Sequence, residues 1–231
     1  MACPAHGQEL VDIPANEAVQ VDLTEPARST RAATQQLFQV HELEPEGGRP
    51  RVFGILPGAG CWEVYFRPQN EFYYLVMIVD HEGGEWSLRG CRASARARVA
   101  LSIVSEDLTA QAITQATGLE PTDRWSRGDL RTHPLMRHLG PCAFTRWTLC
   151  PEGDLPGEFG DKLTRLLQLT EPAAARIRAL ADTCDVSILV GYQGYTGQMW
   201  GLPIEARDVA RIAALGAALD VDLCASGPAL P

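Results

Sequence analysis

Four side chains able to bind a borderline metal fall within one stretch of this chain: His133, His138, Cys142 and Cys150. Imidazole nitrogen and thiolate sulfur are the donors that zinc prefers. A structural zinc site, however, usually sets two donors on one tight turn, and no Cys-x-x-Cys or His-x-x-x-His spacing is present. The stretch reads better as a loop with solvent-facing histidines and packed cysteines, leaving His133, His138 and Cys142 as residual metal candidates and no cofactor expected. Glu106 and Asp107 adjoin one another where a strand gives way to a helix. They would serve as acid and base in catalysis, or cap the helix and favour its dipole, and capping is the simpler reading. With His133 and His138 they make up the catalytic candidates. Arg127 and Asp129 flank Gly128 in a turn, where an ion pair or turn hydrogen bond competes with the anchoring of a ligand.

Other signatures are incomplete. Gly54 to Gly60 suggests a phosphate cradle, but Cys61-Trp62 stands where a P-loop needs Lys-Ser/Thr, so a hairpin turn explains the glycines. No Gly-x-Ser-x-Gly and no His-Glu-x-x-His occurs. The segment Gly191 to Gly201 combines four glycines with Tyr192, Tyr195, Met199 and Trp200. As a flexible loop with large amphipathic side chains it would form a contact surface for a partner or ligand, or fold back as a lid over the sheet.

The elements that must carry these residues change character along the chain. Residues 1–18 are polar and aperiodic, an entry segment. From 19 to 97 the pattern is strand-like: Val19 to Leu23, Arg51 to Leu56, Cys61 to Phe66, Phe72 to Asp80 and the short Trp86 to Leu88 predict an antiparallel meander, with Thr34 to Val40 open between helix and strand. After Arg98 the period switches. A strand at Val99 to Val104 leads to a helix at Thr109 to Thr117, capped by Asp107 or Thr109 and stopped by Gly118. Phe144 to Cys150 is a strand, and Glu158 to Leu169 is a helix with Phe159, Leu163, Leu166 and Leu167 on one face. Glu171-Pro172 restarts it with Ile177, Leu180 and Cys184 in the stripe. Val186 to Val190 is a strand. Glu205 to Leu219 is a helix with stripe Val209, Ile212, Ala213 and Gly216, and Val221 to Leu223 a last short strand. The fold class is therefore α+β: a two-layer sheet-and-helix domain of two βαβ-like passages over 98–226, preceded by a β-rich module and followed by a tail at 227–231.

Composition narrows the function. Hydrophobic residues make up 45% and charged residues 21% of the 231, which suits a packed chain rather than a disordered one. A net charge of −9 opposes non-specific binding to nucleic acid or anionic membrane. The basic residues are almost all arginine, Lys162 being the single lysine. Seven cysteines without paired spacing, no signal-like start and no apolar run long enough for a span lead to the expectation of a cytoplasmic protein with free thiols.

The order Ser102-Ile103-Val104-Ser105-Glu106-Asp107, then Gly118-Leu119-Glu120-Pro121, Arg127-Gly128-Asp129 and Trp147-Thr148-Leu149, closing on Leu215 to Asp222, resembles the bacterial domain-of-unknown-function family numbered 4279. The resemblance covers about Val99 to Ala225. It implies a bacterial α+β domain and supplies no activity or catalytic residue. Some relatives look like components of toxin and immunity neighbourhoods, which favours a protein partner. The leading expectation is thus a non-enzymatic protein-binding, immunity-type protein. The alternative is an enzyme or accessory protein acting on a small molecule or peptide at the junction of the two modules.

Overall fold

The computed structural model of the chain describes residues 32–82, 85–198 and 201–231. The strand expected at Val19 to Leu23, the entry segment and Trp200 lie outside them. The described residues divide into two compact units: those within 32–95, with 194–198 and 225–231, and those within 96–193, with 201–224.

In the first unit the segment left open by the sequence is a helix, α1 (Ala32–Val40), which buries Leu37. After the small hairpin of β1 (Pro45–Glu46) and β2 (Arg49–Pro50), β3 (Val52–Pro57), β4 (Trp62–Phe66), β5 (Tyr74–Glu82) and β6 (Glu85–Ser94) form an antiparallel meander in chain order. The two-residue alternation sorts the side chains: Val64, Phe66, Met77 and Val79 pack together on one face, Tyr65, Tyr74 and Val76 on the other. The strand β6 is longer than expected, because pairing with β5 from Glu82↔Glu85 to Tyr74↔Ser94 carries the polar stretch Arg89 to Ser94 into the sheet.

The second unit follows with β7 (Arg96–Ser105), α2 (Ala110–Thr117), β8 (Asp123–Trp125), β9 (Thr145–Leu149), α3 (Phe159–Thr170), α4 (Ala174–Leu180), β10 (Asp185–Tyr195), α5 (Ala206–Ala214) and β11 (Ala218–Ser226). The sheet order is β11-β10-β7-β9-β8, and β7 runs antiparallel to both β9 and β10. The first βαβ-like passage seen in the sequence thus returns with β9 as an antiparallel neighbour of β7 rather than by a parallel crossover. Thr109 caps α2, its hydroxyl accepting from the Ala112 N–H at 3.2 Å, and Gly118 ends it at φ 69°. Asp107 has no part in that cap: Ser105 Oγ accepts from the Asp107 and Leu108 N–H groups instead. The α3 stripe Phe159, Leu163, Leu166 and Leu167 is buried as its spacing predicts. On α5 the stripe is turned: Asp208, Ile212 and Leu215 are buried and Val209 is half exposed.

A candidate anion-binding cleft on the open face of the sheet

One face of the second sheet belongs to the helices. Trp147 on β9 is fully buried and donates its indole N–H to Thr114 Oγ1 of α2 at 3.0 Å, and its cross-strand partner Ile103 is buried with it. Alternation therefore turns the intervening residues the other way. These are Arg98 and Ala100 of β7, Arg146 and Thr148 of β9, Asp123 and Trp125 of β8, and Leu189 and Gly191 of β10, which line a cleft of about 320 Å³.

Its chemistry is that of an anion receptor. The Arg146 guanidinium lies 5.8 Å from the centre of the Trp125 ring, which it faces as a cation over a π surface. Its Nε is buried and has no hydrogen-bond partner. Arg98 is held in its charged state first by a side-chain hydrogen bond with Cys150, against burial, and then by the nearby carboxylates of Asp154 and Asp123. Gly191 stands directly opposite Arg98 in the β10–β7 register, and a Cβ there would meet nothing nearer than Arg98 Cβ at 4.0 Å. The missing side chain keeps the cleft open. Two guanidiniums against one lining carboxylate leave a local positive excess, with Thr148 as a further donor and Trp125 and Leu189 as apolar wall. Asp123 is the single acid–base group of the lining apart from the arginines, so the cleft lacks the paired titratable groups of proton-transfer chemistry.

The residues singled out in the sequence go elsewhere. Glu106 and Asp107 are exposed, and the Glu106 carbonyl accepts from Arg127 Nη1 at 3.2 Å. Arg127 and Asp129 belong to a clasp: Asp129 Oδ2 accepts from the Ser126 N–H at 2.7 Å and the Arg127 N–H donates to Thr145 Oγ1 at 3.0 Å. Asp129 Oδ2 and the Arg127 backbone N–H thus hold the turn, while both side chains remain exposed. His133 and His138 are exposed in a loop while Cys142 and Cys150 are buried, and among the described residues no three His, Cys, Asp or Glu side chains gather as a ligand set. The six described cysteines are free thiols. The glycine-rich segment read as a loop is strand as far as Tyr195, because β10 stays paired with β7 through Gln193↔Arg96. Tyr192 and Tyr195 are accordingly buried, so their rings form no open contact surface.

Two groupings escaped sequence reasoning. The cleft is the first, its one signal being arginine at an alternate position within apolar strands, as in Ala97-Arg98-Val99 and Thr145-Arg146-Trp147. The second lies in the first unit. Buried His41 donates from Nδ1 to the Leu37 carbonyl at 2.7 Å, so Nε2 accepts from the Tyr73 hydroxyl at 2.6 Å, while Tyr195 donates to the Pro228 carbonyl at 2.6 Å. Burial, then the charge of Glu71, keeps the Tyr73 phenol protonated well above its ordinary range. With both imidazole nitrogens engaged, His41 braces this core.

Residues 95–226 match the family described as domain of unknown function (DUF4279). No curated protein and no solved structure matches the chain.

Proposed function

The chain belongs to the DUF4279 family, and from that premise we propose that it is a non-enzymatic protein-binding module whose cleft receives an anionic group of its partner, a carboxylate side chain or chain terminus. The observation that supports this reading is the orphaned Arg146 Nε. A buried polar group without a partner costs roughly 1–3 kcal/mol, more when charged, and a bound carboxylate would relieve it with a charge-assisted hydrogen bond. Arg98 and Thr148 stand in the same lining to complete the contact, and Trp125 gives an apolar side chain of the partner somewhere to rest. The absence of paired acid–base groups in the lining favours holding over converting. An immunity-type role, in which the held partner is a toxin, is the finer form of the proposal and rests on the family resemblance alone.

The test is capture of a partner from the native host by three forms of the protein: wild type, Arg146→Gln and Gly191→Leu. The leucine would fill the cleft without a backbone penalty, since Gly191 has ordinary strand geometry. A stoichiometric partner held by wild type and released by both variants is the expected result. Recovery of no partner, or equal recovery with the filled cleft, would end the proposal.

A further inference from the structure

Between β8 and β9 the chain leaves the sheet and returns through the Arg127–Asp129 clasp. The Gly128 N–H donates to the Cys142 carbonyl at 2.8 Å and the Cys142 N–H to the Asp129 carbonyl at 2.9 Å, with Gly128 at φ +89°. These bonds set the two ends of the excursion side by side, as in a compact Ω-loop, so what it exposes is held in place from its base. Inside it Pro134–Leu139 winds into a 3₁₀ helix with no buried residue. Leu130, Leu135, Met136 and Leu139 are 80%, 75%, 41% and 53% exposed. Together with Phe144 they account for five of the eleven large hydrophobic side chains exposed among the described residues. A concentration of that kind on one loop marks a contact site.

Charge identifies what it contacts. From Leu130 to Phe144 there is no aspartate or glutamate, only Arg131, Arg137, His133 and His138, in a chain whose net charge is −9. We infer that this loop docks an acidic amphipathic segment of a protein partner, its aliphatic face on Leu135, Met136 and Leu139 and its carboxylates toward Arg137. Two copies of the loop facing each other would oppose guanidinium to guanidinium. An anionic lipid surface would meet the acidic remainder of the molecule as well as the loop, whereas a single segment meets the loop alone. The inference rests on the protein-binding reading and extends it, because Phe144 at the return of the loop contacts the Trp125 ring of the cleft at 6.5 Å between centroids.

The probe is a fluorescent amphipathic peptide with one leucine face and one glutamate face, followed by anisotropy. Saturable binding is expected. It should weaken about tenfold or more for Leu135→Ser/Met136→Ser and for Arg137→Glu, and because these positions are exposed the variants are expected to keep the wild-type circular dichroism. Equal binding by the serine variant, preference for the same peptide with lysine in place of glutamate, or sedimentation with phosphatidylglycerol vesicles in place of peptide binding would each overturn it. The Gly191→Leu protein separates the two proposals. Peptide binding that survives the filled cleft, beside a failed partner capture, keeps the loop and removes the cleft; binding that ignores the loop variants does the opposite.

Discussion

Lys162, the single lysine of the chain, is 3% exposed, and its ammonium donates to the carbonyls of Ala97 at 2.7 Å and Leu155 at 2.5 Å. It therefore ties the start of β7 and the turn before α3 to one helical side chain. Burial pushes its proton affinity down from an ordinary value of 10.5, and the nearby Glu152, Cys150 and Asp154 only partly offset this. Lys162→Met would leave both carbonyls unpaired, and we expect a loss of about 1–3 kcal/mol in urea unfolding at neutral pH. The pH dependence follows from the sign of the shift. A cation with a folded value below its unfolded one carries fewer protons when folded, so stability rises as pH climbs through the folded value toward 10.5. Wild type should gain on Lys162→Met across that interval. Tyr73 acts oppositely, since a phenol kept protonated by burial withdraws stability once the unfolded form ionises above about 10. It is common to both proteins and cancels in the difference. A wild-type curve that fell relative to the variant below that point would contradict an ammonium disfavoured by burial.

Helix α5 shows what an element's own pattern settles and what its surroundings decide. Its spacing nominated Val209, Ile212, Ala213 and Gly216, yet the helix buries Asp208, Ile212 and Leu215 and leaves Val209 51% exposed. Val209→Lys should then change stability by no more than about 0.5 kcal/mol. Ile212→Ala should cost about 2–4 kcal/mol in the same thermal or urea unfolding measurement. Comparable losses at both positions would mean the helix sits in the rotation its sequence suggested. Elements whose signals are local were legible: the Thr109 cap and the Gly118 stop on α2, the two-period alternation of β4 and β5, the α3 stripe. What depends on partners distant in sequence was not. The extension of β6 and of β10 comes from ladders with β5 and β7, and a glycine-rich run such as Gly191 to Tyr195 gives no sign of being paired. The same reason hid the cleft, whose Arg98, Asp123, Arg146 and Gly191 meet through the strand order.

At the scale of the whole molecule, charge sets two opposing fields on any acidic partner. The chain repels it through a net charge of −9, while Arg98 and Arg146 in the cleft and Arg137 on the loop attract it locally. Ionic strength chooses between them, because the Debye length falls from about 30 Å at 0.01 M to about 8 Å at 0.15 M and about 3 Å at 1 M. At the lowest salt the approaching peptide senses the whole molecule and is slowed. Near physiological salt the distant carboxylates are screened out while the guanidiniums within a few ångströms still act. At molar salt even these fade, leaving the leucine contacts. The association rate of the glutamate-faced peptide, followed by stopped-flow fluorescence, is therefore expected to rise between 0.01 and 0.15 M and to fall toward 1 M, the reverse of simple steering at the low-salt end. A rate that declined steadily from the lowest salt would show a patch strong enough to dominate the net charge. A rate rising all the way to 1 M would show that the guanidiniums take no part, and that the loop binds through its hydrophobic side chains alone.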